Sequence, residues 1–232
     1  MNNSLDEIWY AAKSTLIVYM PPKLLETFGE TLVHYLVVAE DPDNPACVHL
    51  HDGVVTAERP RIITPQFYRQ KMVENFGADA QKYFDEVLAK DTTARFLQYG
   101  LKFSKQEYHT HQVTGDLREI AEQAAKDAQD NLHELRGVVI GTNDTWEVSL
   151  LYFITQLVQR SLPYHARDIA QRGLLDLQDG VPTAVRLEIE ADLTNCTTLE
   201  GAKNLGAKLR DYGIFEQFED QFYEVYRRVR SV

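Results

Sequence analysis

The sequence has little of what builds a disulfide framework or a cysteine-based zinc site. Only two cysteines occur among its 232 residues, Cys47 and Cys196, and they are far apart and in no ligand-like spacing. The first 14 residues lack the charged start and the long apolar run of a signal peptide. No apolar run reaches the ~20 residues that a helix needs to cross a bilayer. We therefore expect a soluble, cytoplasmic protein with no membrane partner.

Positive charge is scarce as well. Lysine and arginine together number 24 against 35 aspartates and glutamates, which gives a formal net charge of −11 and a sequence pI of about 5.1. This acidic balance argues against nucleic acid as a partner, because sequence-independent binding depends on Lys and Arg displacing counterions. The densest basic cluster is Arg227, Arg228 and Arg230. We interpret it as favourable placement at the negative end of a terminal helix.

The motifs of common enzyme classes are missing. The chain has no Gly-x-Ser-x-Gly elbow, no Gly-x-x-x-x-Gly-Lys-Ser/Thr loop, no Gly-x-Gly-x-x-Gly fingerprint and no His-Glu-x-x-His helix. Nothing therefore indicates a serine nucleophile or the usual machinery of nucleotide hydrolysis. Whether the chain is an enzyme stays open at the level of the sequence.

What the sequence does have is a strongly apolar segment near its middle, residues 144–161. Only three residues between Val148 and Val158 are polar, and the apolar ones recur at helical spacing. Asp144 and Glu147 have the spacing of a capping box, in which each side chain bonds a free backbone N–H of the first turn. A helix that is apolar on most faces must be surrounded by protein, so we predict a central core helix here.

The first half of the chain has the patterns of mixed sheet and helix. Residues 15–20 are rich in β-branched side chains and stop at two prolines, and residues 31–40 favour a buried strand over the rival helix from 22 to 39. An Asp52-Gly53 pair between alternating residues predicts a two-residue type I′ hairpin over 47–58. The other predicted elements are a short helix at 23–29, a strand near 61–64, helices at 64–76 and 78–90, a strand at 95–104, and a strand or loop at 105–113.

From Asp116 onward the predicted elements are mostly helices. Capping-box spacing pairs Asp116 with Glu119 and Thr197 with Glu200. Segment 182–193 fits a strand or a helix, and we assign it to a helix on its length and its proline start. The predicted helices cover 116–135, 144–161, 163–173, 182–193, 197–212 and 214–229, with a connector or an added strand at 137–141. The last helix carries an apolar stripe, which we interpret as core packing: Phe215, Phe218, Phe222, Val225 and Val229.

These patterns predict an α+β fold. A small mixed or antiparallel sheet with helices fills the N-terminal half, and the C-terminal half is predominantly α-helical. We place the change of architecture between a mixed α/β region, 1–113, and a helical region, 114–232. No long linker separates the two, so we expect one compact domain or two tightly packed subdomains.

Two His-x-His pairs are the main candidates for chemistry. In the predicted hairpin, His49, His51 and Glu58 share the face opposite the core, because residues two apart on a strand point the same way. Two imidazoles and a carboxylate are a common ligand set of catalytic zinc and iron sites. We therefore name these three residues as candidate ligands of a divalent metal. His109 and His111 form the second pair, in a polar stretch.

Two weaker candidates complete the search. Cys47 lies on the His49 face of the predicted hairpin, where an imidazole would activate its thiol. Tyr164, His165, Arg167 and Asp168 lie within about one helical turn, either lining a polar pocket for an anion or forming a surface ion-pair cluster.

The leading functional hypothesis is a non-enzymatic protein that acts by binding or assembly, as a homo-oligomer or with a protein partner. It is motivated by the missing catalytic motifs and by the aromatic-rich terminal helix. The first alternative is a metal-dependent hydrolase or oxygenase that uses the His-x-His pair with Glu58. The second is a small-molecule sensor with a pocket beside the central helix, near Tyr152 and His165.

Overall fold

The computed structural model describes residues 5–44, 46–58, 73–85, 103–174, 176–178 and 181–230. In these ranges the chain forms seven helices and a six-stranded mixed sheet with a separate two-stranded hairpin, so the predicted α+β fold is confirmed. The helices are α1 (Leu5–Ser14), α2 (Ala78–Tyr83), α3 (Leu117–Asp130), α4 (Trp146–Gln171), α5 (Thr183–Asn195), α6 (Leu199–Asp211) and α7 (Phe215–Arg230). The strands are β1 (Leu16–Tyr19), β2 (Thr31–Glu40), β3 (Cys47–Ala57), β4 (Val73–Glu74), β5 (Phe103–Thr114), β6 (Leu135–Thr142), β7 (Leu177–Gln178) and β8 (Val181–Pro182).

An antiparallel meander of β2, β3 and β5 forms the middle of the sheet. Strand β6 follows α3 and lies parallel to β2, so the strand order is β1-β6-β2-β3-β5-β4. The segment 137–141 is therefore part of an inner strand, and its Val138 and Val139 are fully buried between the layers on either face. Because β6 comes from beyond residue 113, the sheet draws on both regions that the sequence analysis separates.

The predicted hairpin at Asp52-Gly53 is wrong. Strand β3 runs through both residues without a turn and pairs with β2 on one side and with β5 on the other. His51 thus lies opposite Val37 and Thr110, and not opposite Val54. A type I′ turn needs two residues at positive φ, and none occurs at these positions. Pairing on both edges, which no local pattern reveals, outweighs the turn preference of Asp-Gly.

The two faces of the sheet are covered by different helices. Alternate residues of β2 point to opposite faces, so Val37 packs in the cluster formed with α1, α2 and α4, whereas Val38 packs in the cluster beneath α3. The predicted strands at 15–20 and 31–40 are confirmed, and 105–113 is strand. The predicted helix at 78–90 is confirmed at its start, and the helix from Asp116 ends at Asp130, five residues early.

Helix α4 is longer than predicted. It continues through Pro163, which lies on the exposed side, where the carbonyl of Gln159 that loses its N–H partner is open to water. The predicted capping box is wrong: the N-cap is Thr145, and the Glu147 carboxylate accepts from the Gly77 N–H and from Lys105. No helix in the described ranges is both long and apolar enough to cross a membrane.

The predicted helix at 23–29 is also wrong, because α4 engages the Leu25 carbonyl that such a helix would use. The Leu25 N–H donates to Ser161 Oγ over 3.1 Å, and His165 Nε2 lies 2.8 Å from the Leu25 carbonyl oxygen. Residues 23–29 are irregular as a result. Residues 73–74 are strand and not the end of a helix, whereas the predictions for 61–72 and 86–102 fall outside the described residues.

Helices α5, α6 and α7 pack together around a core of their own. Segment 182–193 is helix, as assigned, and the cap of α6 is Thr198, one residue beyond the predicted Thr197. The predicted core packing of the aromatic stripe is confirmed, since Phe218 and Phe222 are buried inside this bundle. The Arg228 guanidinium donates to the carbonyls of Leu193 and Cys196 at the end of α5.

Substitution of Gly137 by alanine tests the close contact between β6 and α4. A Cβ at Gly137 would stand 2.1 Å from the ring of Phe153, which is fully buried and has no room to move. We expect Gly137→Ala to lower the free energy of unfolding by about 1–3 kcal/mol, as overpacking does. The matched control is Gly29→Ala, where the nearest atom is 3.7 Å away and φ is not positive. Urea denaturation compares the two, and equal stabilities would contradict this packing.

Candidate functional site

A row of polar side chains lies on the α4 side of the sheet, where the carboxyl ends of the parallel strands β2 and β6 meet. On β3 the row consists of Cys47, His49 and His51, which alternate with residues of the opposite face. Asp41 directly follows β2, and Asn143 directly follows β6. The topology therefore gathers residues from three parts of the chain at one end of the sheet.

His49 is paired with a carboxylate that the sequence analysis did not name. Its Nε2 lies 2.8 Å from Asp41 Oδ2 and 3.3 Å from the amide nitrogen of Gln112. The bond to His49 is the main reason why the pKa of Asp41 is lowered, and backbone N–H groups of Asp43 and Asn44 add to it. Asp41 is therefore an anion at neutral pH. One ligand atom each of Asp41, Cys47 and His49 lie within 4.8 Å of one another.

His51 is buried and uses both ring nitrogens. Its Nε2 donates to Asn143 Oδ1 over 2.9 Å, which leaves Nδ1 to accept from the Thr110 hydroxyl over 3.1 Å in the neutral ring. The imidazole stacks on Trp146 with ring centroids 4.7 Å apart and planes within 4° of each other. Burial lowers the pKa of His51, although the bond to Asn143 acts in the opposite direction.

The structure does not bring Glu58 to the two histidines. Because β3 is one continuous strand and Glu58 lies just past its end, Glu58 is seven positions beyond His51, which is about 23 Å at ~3.3 Å per residue. His49 and His51 stay neighbours, with ring centroids 6.2 Å apart. The carboxylate that actually reaches His49 is Asp41.

Further along the same face, Lys105 occupies an aromatic box. Its side chain is only 7% exposed and forms an ion pair with Glu147. The ammonium nitrogen lies 4.4 Å from the ring centroid of Tyr108, 5.1 Å from that of Trp146 and 5.8 Å from that of Phe76. Such contacts, with one carboxylate, offset part of the cost of burying the charge.

An irregularity in β5 places Lys105 and Tyr108 side by side. Lys105 pairs with Val55 and Tyr108 with Gly53, so the register between β3 and β5 shifts between these pairs. Strict alternation would put residues three apart on opposite faces, and the shift returns them to one face. Such bulges re-aim side chains and are frequent beside functional sites.

The Tyr35 hydroxyl lies close to Tyr108, beside the backbone of Gly53. It is buried and has no hydrogen-bond partner among the described residues. Burial raises the pKa of Tyr35, and the carboxylates of Glu147 and Asp52 raise it further, so the hydroxyl keeps its proton. The absence of a side chain at Gly53 makes this possible, because a Cβ there would stand 2.8 Å from the Tyr35 oxygen and 2.9 Å from Tyr108 Cβ.

An open depression of about 560 Å³ adjoins the box. The described residues that line it are Asn75, Lys105, Gln106, Tyr108 and His109. Asn75 has a positive φ of 64°, a conformation that asparagine tolerates, and its amide donates to the Lys105 carbonyl. The depression thus has amide, ammonium and imidazole groups beside a half-exposed aromatic ring.

The remaining predicted sites are less concentrated. His109 and His111 are exposed on β5 with ring centroids 6.2 Å apart, and His111 Nε2 lies 3.4 Å from Asp52 Oδ1. In the run that begins at Tyr164, His165 is buried against Leu25 whereas Arg167 is exposed, so these two do not line one pocket.

Several residues of the site escaped the sequence analysis. Asp41 lies outside every predicted element, and Glu147 is predicted only as part of a helix cap. Lys105 had no signal at all, since its orientation depends on the bulge in β5. Trp146 lies at the start of the predicted central helix, and its stacking on His51 depends on how α4 packs on the sheet.

No family model, no curated protein and no solved structure matches this chain. The function of the protein is therefore inferred from the geometry of the site.

The pH dependence of stability tests the environment of His51. The folded pKa of His51 is lowered from its ordinary value of 6.5, so between these two pKa values the unfolded chain binds a proton that the folded chain does not. The contribution of the neutral His51 ring to the free energy of unfolding is therefore complete above pH 6.5. It is lost as the pH falls from 6.5 towards the folded pKa. We expect unfolding free energies measured from pH 7 to pH 5 to fall less steeply in His51→Gln than in the unsubstituted protein.

His109→Gln, at an exposed position of β5, is the control for this comparison. It should keep the steep dependence of the unsubstituted protein. Equal slopes for His51→Gln and the unsubstituted protein would contradict the buried, neutral imidazole.

Proposed function

We propose that this chain is a non-enzymatic binding protein whose ligand is a small, planar, anionic molecule held beside Lys105. The observation that carries the proposal is a nearly buried ammonium at an open depression, with an unsatisfied hydroxyl from Tyr35 close by. The proposal keeps the leading hypothesis of the sequence analysis, a non-enzymatic protein that acts by binding, and adds a specific site and a class of ligand. We expect the binding to take place in the cytoplasm, as the sequence analysis predicts.

The charge of the ligand is argued from the donors. An ammonium has three N–H groups, and Glu147 is the carboxylate that pairs with Lys105. That carboxylate also accepts from the Gly77 N–H, so its negative charge is shared. An anionic group at Lys105 would add a charge-assisted hydrogen bond, which is stronger than a neutral one. The side-chain amides of Asn75 and Gln106 and the His109 ring surround the same depression.

The size and shape of the ligand are argued from the walls. A volume of about 560 Å³ lies within the range of small-molecule sites. The ring of Tyr108 is 45% exposed and backed by Trp146, which offers a flat apolar surface for a planar group. A net charge of −11 opposes a large polyanion, so a ligand with one or two negative charges is favoured.

The Tyr35 hydroxyl supports the same conclusion. A buried O–H group without an acceptor costs about 1–3 kcal/mol. The raised pKa of Tyr35 keeps this group a donor at neutral pH. A ligand atom or a water molecule that accepts a hydrogen bond from this hydroxyl would remove that cost.

Thermal unfolding with benzoate and phenyl phosphate as probes tests the proposal. Both are small planar anions, and benzamide and benzylamine are their neutral and cationic counterparts. We expect the anions alone to raise Tm, because a ligand at about 100 times its Kd stabilises the folded state by about 2.7 kcal/mol. The double variant Lys105→Met/Glu147→Gln, which leaves no unpaired buried charge, should lose this shift.

The matched control is Lys126→Met/Glu122→Gln, which removes an exposed glutamate and lysine on α3. It should respond to the anions as the unsubstituted protein does. Equal shifts with benzamide, or a shift that survives in Lys105→Met/Glu147→Gln, would overturn the proposal, as would the lack of any shift with either anion at millimolar concentration.

A further inference from the structure

A second and separate group of potential ligands meets where the chain turns from β2 into β3. Asp41 directly follows β2, and Cys47 and His49 lie at the start of β3 on one face of the sheet. One ligand atom of each lies within 4.8 Å of the other two. The hydrogen bond between Asp41 and His49 accounts for two of these residues. That hydrogen bond does not explain why the thiol of Cys47 lies beside these two residues.

The connection between the strands holds Asp41 in a defined orientation. The Asp41 N–H donates to the Cys47 carbonyl over 3.0 Å, and the Cys47 N–H donates to the Asn44 carbonyl over 2.8 Å. Asp41 Oδ1 accepts from the N–H groups of Asp43 and Asn44. Only Oδ2 is directed at His49, so the carboxylate is oriented before any metal binds.

The donors themselves are chemically suited to a metal. Asp41 offers a carboxylate oxygen and His49 an imidazole nitrogen, and both are common ligands of zinc. Cys47 is free and partly exposed, so a metal can reach its sulfur. His49 stands on an inner strand that is paired on both edges, which makes its backbone position rigid.

We propose that Asp41, Cys47 and His49 bind one divalent transition-metal ion of the zinc class. Sulfur, nitrogen and oxygen donors suit zinc, with bond lengths of about 2.3, 2.0 and 2.1 Å, respectively. Tetrahedral bonds of that length put the donors about 3.3–3.7 Å apart, so the 2.8 Å contact between His49 and Asp41 must open by about 0.5 Å. Three protein ligands leave a fourth position for a water molecule.

This set keeps His49 from the predicted metal site and replaces its other two members. His51 has both nitrogens hydrogen bonded, and Glu58 lies about 23 Å from His51 along the strand. The Gln112 amide nitrogen also lies 3.3 Å from His49 Nε2. The inference does not rest on the proposed anion site, because it uses none of the residues of the aromatic box.

Titration of metal-free protein with Co²⁺ tests the proposal, with Zn²⁺ as the competing ion. We expect one equivalent of Co²⁺ to produce the visible bands of a tetrahedral site and a near-ultraviolet thiolate-to-cobalt band, both removed by one equivalent of Zn²⁺. Cys47→Ala should abolish the thiolate band and weaken Co²⁺ binding at least about tenfold, since even outer partners of a metal contribute about 10- to 100-fold.

The second cysteine provides the matched control. Cys196→Ala, in the C-terminal helical bundle, should keep the thiolate band and the affinity. Asp41→Asn preserves the shape of the side chain and should keep the band while weakening binding, which tests the site even if Cys47→Ala folds poorly. Loss of the band in Cys196→Ala, its persistence in Cys47→Ala, or no band at one equivalent would overturn the metal site.

The variant Lys105→Met/Glu147→Gln separates the two proposals. It should bind Co²⁺ as the unsubstituted protein does while losing the response to benzoate. Loss of Co²⁺ binding in this variant would contradict an independent metal site.

Discussion

The close approach of α4 to β6 is the contact on which the rest of the structure depends. The ring of Phe153 occupies the space that a side chain at Gly137 would need, so the helix lies directly on the strand. This closeness brings the first turn of α4 over β3 and β5. Trp146 then stacks on His51, and Glu147 reaches Lys105 on a strand that is 42 residues away in sequence. The aromatic box and the buried histidine therefore both follow from one helix–strand contact.

Backbone features of β3 and β5 complete the site. Gly53 leaves room for the Tyr35 hydroxyl and for Tyr108, and the register shift in β5 returns Lys105 to the same face. These features have a cost, because a glycine inside a strand and an irregular ladder both weaken the sheet. A sheet that served only to cover a core would not need them. Both features lie beside the depression at which we propose that a ligand binds.

The buried charged groups of the site are likewise not explained by stability alone. A buried ion pair such as Lys105 with Glu147 is often no more stabilising than apolar residues of similar volume, because both charges lose their hydration. Burial likewise keeps His51 neutral, although the ring is hydrogen bonded at both nitrogens. Stability alone thus does not account for the charged and titratable groups between the sheet and α4. At the other end of the row, the Asp41 carboxylate lies 2.8 Å from His49 Nε2.

The sequence by itself determined the fold class, the strands at 15–20 and 31–40 and most of the C-terminal helices, because hydrophobic periodicity is a local property. It misplaced the hairpin at Asp52-Gly53, since pairing on both edges of β3 is a long-range effect that overrides a turn preference. Only the tertiary structure decided which groups meet. Asp41 contacts His49 because of the β2–β3 connection, and Lys105 contacts Glu147 because of the bulge in β5 and the packing of α4 on β6. No local sequence pattern indicates either contact, because each depends on how separate segments pack.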